Sequence, residues 1–378
     1  MNSFVNYSNY RIVLTDPATT SGIIFIILLI VVGITCKKTG YDFFDIPTTT
    51  SLRGVAVLFL LFGHLSIMCL QHQMFFNIGG YWAVIIFLFI SGYGLYQSYQ
   101  LTNAKAGFWK TRILKLYIPL WITLALFIIL DDVLINLHHP LLEIILNFLG
   151  FHLNGILVRV NAVAWFVEYV MVLYFIFWIV SKLPFSEELK LIVLFCLCFS
   201  VYAIIRLTPI RNYHSIWLQY TIVFPTGVLF GKYRSVIRTF LPSKTRNRLF
   251  LIVPIFISIV VFYGWNEIVP IRSSDVFRPI ALILPLVLVS ALIEMVNYQS
   301  AFLLFLGSYS YEIYLLHAPF MVKYDFFLYR KPLFAYFFAY LFGLIILSYI
   351  LAKVSNMVND GLSMLQSKKH NKAILVPR

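Results

Sequence analysis

Charge is scarce in this chain. Only 12% of its 378 residues are Asp, Glu, Lys or Arg, about half the share found in average soluble domains, and the mean hydropathy is +0.88. Such a surface cannot face water on every side, which excludes an ordinary soluble domain. Acidic residues are the scarcer kind, 15 Asp and Glu against 29 Lys and Arg. Cysteine is also sparse: Cys36, Cys69, Cys196 and Cys198 all sit in or beside apolar segments, as small packing residues do, which argues against a disulfide framework or a metal site. Phosphate-cradling GxxxxGKS/T, GxGxxG and the metal-binding HExxH are missing, and the adjacent His138 and His139 have no cysteine near them. No Pro/Ser-rich linker or periodic repeat interrupts the chain. A cleaved signal peptide is not expected either. The first apolar run, 22–36, is followed rather than preceded by its charges, Lys37 and Lys38, so it reads as a retained helix.

What fills the chain is apolar, 61% of it. Runs long enough to span a bilayer, or nearly so, fall at 22–36, 54–71, 80–99, 117–136, 162–181, 189–206, 215–231, 249–264, 279–296, 302–320 and 333–353, against the roughly 20 residues a helical span needs. Helices satisfy their own backbone hydrogen bonds in hydrocarbon. The expected fold is therefore all-α, a polytopic integral membrane helical bundle of about 10–11 transmembrane helices. The expected organisation is an extracytoplasmic segment (1–21), a membrane domain (22–353) and a basic cytoplasmic tail (354–378). Segment 141–158 is apolar but carries Glu143, Asn147, His152 and Asn154, and is expected to be re-entrant or interfacial. Most of the basic residues fall on one side if the amino terminus is outside and the carboxyl terminus cytoplasmic. The formal charge of +14 is then explained by topology, and nucleic acid is not an expected partner.

Against this background the ionisable residues inside apolar runs stand out, because such groups are costly at membrane depth and are functional candidates. Arg53 and His64 lie eleven positions apart, close to three helical turns, so both project from one face about 16 Å apart along the axis. A bland alternative makes Arg53 an interfacial anchor and His64 a packing residue. A second pattern runs from Gly80 to Tyr93, where Ser91 and Gly92 interrupt an aromatic helix; helix packing alone would also explain it. In a third, Arg112 and Lys115 share a helix face at a basic interface, suited to phosphate oxygens or simply to anchoring. In a fourth, Ser310, Tyr314 and His317 form a polar stripe at i, i+4, i+7 spacing. Glu168, one turn after Trp165, is a further carboxylate candidate.

Together these patterns resemble the membrane acyltransferase-3 family. Its Arg-x10-His arrangement is similar to Arg53 and His64, its glycine-to-SGF/SGY helix to Gly80–Tyr93, and its RxxR element to Arg112 and Lys115, with lysine in the second place. Lysine keeps the charge and loses the bidentate fork. The family's SYxxYLxH element is similar to Ser310–His317, and Trp165 with Glu168 to a tryptophan-to-acid pattern. The similarity covers about residues 50 to 350 and resembles members without an appended Ser-Gly-Asn-His hydrolase domain.

The resemblance implies an O-acyltransferase, most simply an O-acetyltransferase, moving an acyl group from cytoplasmic acetyl-CoA or another acyl-CoA to a sugar hydroxyl of a cell-envelope glycan or lipid-linked saccharide. It implies His64 as general base, a task suited to imidazole. Arg53, Arg112 and Lys115 would hold donor phosphates. His317, Tyr314 and Glu168 complete the catalytic candidates, and Ser91, Gly92, Tyr93, Trp165 and Ser310 the substrate or structural ones. No metal is expected; membrane lipid is, and self-association stays open. On physical grounds alone the same residues would also suit a transporter or flippase for a lipid-linked glycan, though no internal repeat supports one.

Overall fold

The computed structural model describes residues 16–39, 42–68, 79–102, 107–151, 160–241, 249–268, 277–296, 298–324, 328 and 330–374. Cys69, part of the 141–158 segment (152–158), and the loop bases Lys105, Lys244, Arg246 and Arg248 lie outside them.

The chain forms an all-α bundle. Its helices are α1 (Pro17–Ile34), α2 (Ile46–Met68), α3 (Gly79–Thr102), α4 (Phe108–Ile135), α5 (Leu141–Phe148), α6 (Trp165–Lys182) and α7 (Glu187–Leu207). They continue with α8 (Arg211–His214), α9 (Val223–Phe240), α10 (Ile252–Ile268), α11 (Ile280–Val296), α12 (Ala301–Ser308), α13 (Ser310–Val322) and α14 (Leu333–Ile374). Among the described residues, seven helices are long and apolar enough to cross a membrane: α1, α2, α3, α4, α6, α7 and α14. Shorter apolar helices, α10 and α11, occupy two further predicted runs. The run at 302–320 is divided between α12 and α13 at Tyr309. Outward faces are apolar, as at Ile129 and Ile192, which suits a surface in contact with lipid chains.

Helix starts follow local chemistry. Asp16 caps α1 through Thr19 N at 3.0 Å, with Pro17 next in line. Ser186 caps α7 at Leu189 N, and Glu187 and Glu188 occupy its positive end. Among the described residues, an all-helical reading does not anticipate a short antiparallel ribbon pairing Cys36–Lys38 with Tyr298–Ser300. It joins the end of α1 to the start of α12, and Thr35 and Ser300 hydroxyls meet beside it at 2.7 Å.

Helix α2 is the most enclosed of the long spans, and glycine explains how. A Cβ on Gly54 would collide with the Leu303 carbonyl of α12, and one on Gly307 with the Thr50 carbonyl of α2. Toward its other end, Gly63 meets the backbone of Gly79 and Gly80, and Gly79 meets the Phe59 carbonyl. Two reciprocal glycine contacts thus bring α2 against α12 and α3 at backbone distance, the packing that small residues permit between membrane helices. We predict that Gly54→Ala or Gly63→Ala destabilises the bundle by about 1–3 kcal/mol, seen as a lower unfolding temperature in detergent. Gly33→Ala, where a Cβ meets nothing within 4 Å, should leave that temperature unchanged.

Candidate active site

The two glycine contacts flank the two residues that drew attention in the sequence. Arg53 precedes Gly54 and His64 follows Gly63, so the tightest points of α2 hold its two ionisable side chains in place. Arg53 lines a cavity of about 640 Å³ between α2, α3, α4, α6 and α13. The same cavity receives Arg112 and Lys115 from α4, Ser91 from α3, and Ser310 and Tyr314 from α13. Arg53 and Tyr314, 261 positions apart in the chain, are therefore brought to one cavity.

The electrostatics of this cavity are one-sided. Among the described residues, three cations line it and no carboxylate does. Arg112 is steadied from beneath, its guanidinium 3.8 Å above the Phe108 ring centroid and its Nη1 donating to the Phe108 carbonyl at 3.0 Å. Arg53 is half-buried, and its Nε has no hydrogen-bond partner among the described residues. Leaving a buried guanidinium donor without an acceptor is costly, and an anion in the cavity would remove the cost. Tyr174, which sequence reasoning missed, completes the polar wall through a 2.7 Å hydrogen bond with Ser91.

His64 does not line the cavity. Its ring lies beside that of His317, centroids 4.9 Å apart. His317 is fully buried; its Nδ1–H donates to the Tyr314 carbonyl at 2.6 Å, and its own carbonyl accepts from the Tyr340 hydroxyl at 2.8 Å. With Nδ1 committed as donor, Nε2 carries the lone pair, and that atom has no partner among the described residues. Tyr314 stands at the boundary. Its ring lines the cavity and lies 5.6 Å from the His317 ring, while its hydroxyl donates to the Val163 carbonyl.

The remaining sequence candidates sit elsewhere. Glu168 meets His214 at 3.4 Å, and Trp165 stacks on Tyr220. Gly92 abuts the Phe224 carbonyl of α9, with Gly227 returning the contact at Phe89. Tyr93 donates to the Phe44 carbonyl at 2.8 Å within a cluster of phenylalanine rings. None of these four lines the cavity.

A bundle of apolar helices enclosing a cationic cavity, with the His64–His317 pair next to its Tyr314, defines a membrane protein whose cavity suits an anionic ligand. Comparison with known proteins makes the class definite. Residues 50–353, well over half the chain, match the acyltransferase-3 family model, described as an acyltransferase domain. The chain belongs to this family and is a membrane acyltransferase. No curated protein and no solved structure matches it significantly.

A second polar cluster escaped the sequence reading. Asp131, fully buried near the end of α4, accepts from His139 Nε2 (2.8 Å), Lys323 Nζ (2.7 Å) and the Tyr324 hydroxyl (2.7 Å). Glu143 lies 3.6 Å from the other nitrogen of His139. From this anchor the chain runs back along α4: Trp121 Nε1 donates to the Phe148 carbonyl at 2.7 Å, and Tyr117 reaches the Leu149 carbonyl at 3.5 Å. Asp131 to Tyr117 is about 21 Å of helix, and residues 141–151 lie along it. In the sequence Glu143 and the adjacent His138 and His139 had drawn notice singly, but not Asp131, whose partner Lys323 lies 192 residues away. Asp131→Asn should destabilise the protein by about 3–5 kcal/mol, since it leaves the largely enclosed Lys323 ammonium with only the Val160 carbonyl and without its countercharge. Thermal unfolding of the variant in detergent would measure this.

Proposed function

We propose that this membrane acyltransferase takes its acyl group, most simply acetyl, from a coenzyme A thioester and passes it to a sugar hydroxyl of a cell-envelope glycan or lipid-linked saccharide. The observation that carries the reading is the convergence of Arg53, Arg112 and Lys115 on a cavity that no carboxylate lines among the described residues, one tyrosine away from the His64–His317 pair. Coenzyme A is an anion with clustered phosphates at one end and a thioester at the other. The guanidiniums would hold the phosphates through charge-assisted hydrogen bonds, and the pantetheine arm would lie along Ser91, Tyr174 and Ser310 toward Tyr314.

His64 then acts as general base. The hydroxyl proton passes to the imidazole as the hydroxyl oxygen attacks the thioester carbonyl carbon; the C–S bond breaks, and the thiolate takes the proton back from the imidazolium. His317 fits a supporting part. Its Nε2 lone pair can accept the ring N–H of His64, fixing the tautomer that leaves the opposite His64 nitrogen free to receive a proton. Tyr314 is positioned to donate to the developing oxyanion once its hydroxyl leaves Val163. Glu168 and Trp165 take no part in this step.

On this reading the protein is a multi-pass protein of the cell membrane, amino terminus outside and carboxyl terminus in the cytoplasm. The Arg53 end of α2 faces the cytoplasmic donor and the His64 end the acceptor. His64→Ala should lower transfer by about 10²–10⁴-fold while the protein still inserts and keeps its unfolding temperature. Full activity in that variant would remove the imidazole as base. Separately, Arg53→Ala should weaken binding of acetyl-CoA by about 10–100-fold, measured by calorimetry on protein in nanodiscs; unchanged affinity would place the phosphates elsewhere.

A further inference from the structure

The cavity and the histidine pair do not meet. Among the side chains that line the cavity, Phe87 from α3, Phe166 from α6 and Tyr314 from α13 are in mutual contact. Their ring centroids are 5.1 Å apart for Phe166 and Tyr314, 6.3 Å for Phe87 and Phe166, and 6.4 Å for Phe87 and Tyr314. Three helices thus contribute one ring each to a closed aromatic triangle. Behind it, on the Tyr314 side, lies His317 and then His64. Tyr314 is tethered twice: by its hydroxyl to Val163 and by its carbonyl to His317. Phe87 and Phe166 have no polar tether and are held by packing alone, which leaves them the adjustable sides.

We propose that Phe87 and Phe166, closing against Tyr314, set the length of the acyl group that reaches the histidines. The inference rests on the acyl-CoA reading above. A thioester in the cavity must bring its carbonyl past this triangle, and every methylene beyond the carbonyl must be accommodated between rings packed at van der Waals distance. Interiors of this density tolerate added volume poorly. A two-carbon acyl group passes with the least displacement of the rings, and longer chains are disfavoured in proportion to their length. Phe87 and Phe166 are specificity-determining residues; they take no part in proton transfer. Their substitution changes which donors react.

The test compares acetyl-, butanoyl- and hexanoyl-CoA as donors for the purified full-length protein in nanodiscs, with a cell-envelope glycan extract as acceptor and free thiol release as readout. Wild type is expected to favour acetyl. Phe166→Ala and Phe87→Ala are expected to raise the butanoyl-to-acetyl rate ratio by about tenfold or more, the discrimination that methylene-sized differences command in an apolar pocket. The milder Phe166→Leu and Phe87→Leu should shift it in the same direction. A ratio of two rates on one sample does not depend on how much of that sample is folded, so a partly destabilised variant still reports. If wild type is active and the ratio is the same in all four variants, the constriction does not select chain length and this proposal falls alone. If wild type releases thiol from no donor, the acyl-CoA reading falls and takes the proposal with it.

Discussion

Backbone contact at glycine is the constraint on which the rest of this structure depends. Helix α2 carries an arginine and a histidine into an apolar bundle, and both are expensive there. They can be useful only if held still. The glycine beside each provides the hold: Gly54 lets α12 approach next to Arg53, and Gly63 lets α3 approach next to His64. A side chain at either glycine would push the neighbouring helix away and rotate or lift α2. The site is therefore built on rigid helices pinned at two points, the arrangement that keeps functional geometry within tight tolerance.

Among the cations are paired ones and the three that line the cavity. Arg234 and Arg238 of α9 engage Asp42, Arg238 also meets Glu294, Lys232 meets Glu188, and Lys323 meets Asp131. These cations tie loops and helices together. Arg53, Arg112 and Lys115 have no carboxylate partner among the described residues and share one cavity. Breaking a buried pair strands its partner, whereas an unpaired cluster is open to an anion from outside. On the reading proposed above, that anion is the phosphate end of a coenzyme A thioester.

Much of this was legible in the sequence, and the failures have physical causes. The eleven-residue spacing of Arg53 and His64 reads directly from helical geometry, and the stripe Ser310, Tyr314, His317 keeps its common face: Ser310 and Tyr314 reach the cavity, and His317 lies just behind. Consecutive residues in one motif proved to have different destinations. Ser91 faces the cavity, Gly92 packs on α9 and Tyr93 anchors the segment before α2, because each step along a helix turns about 100°. Tyr174, Phe87 and Phe166 gave no signal; an aromatic residue in an apolar run looks the same whether it fills a core or walls a cavity. Glu143 and His139 were visible singly, but not as partners of Asp131 and Lys323, since a pairing across 192 residues is a property of the fold.

The claim at the centre of this account is that donor and base are reached from opposite ends of α2. Protein reconstituted in one orientation into sealed vesicles tests it, with acetyl-CoA confined to one side and acetylated glycan scored on the other. The account predicts acetyl transfer only when the donor is on the side carrying Arg53, Arg112 and Lys115. Equal transfer with donor on either side, or transfer only from the His64 side, would contradict it.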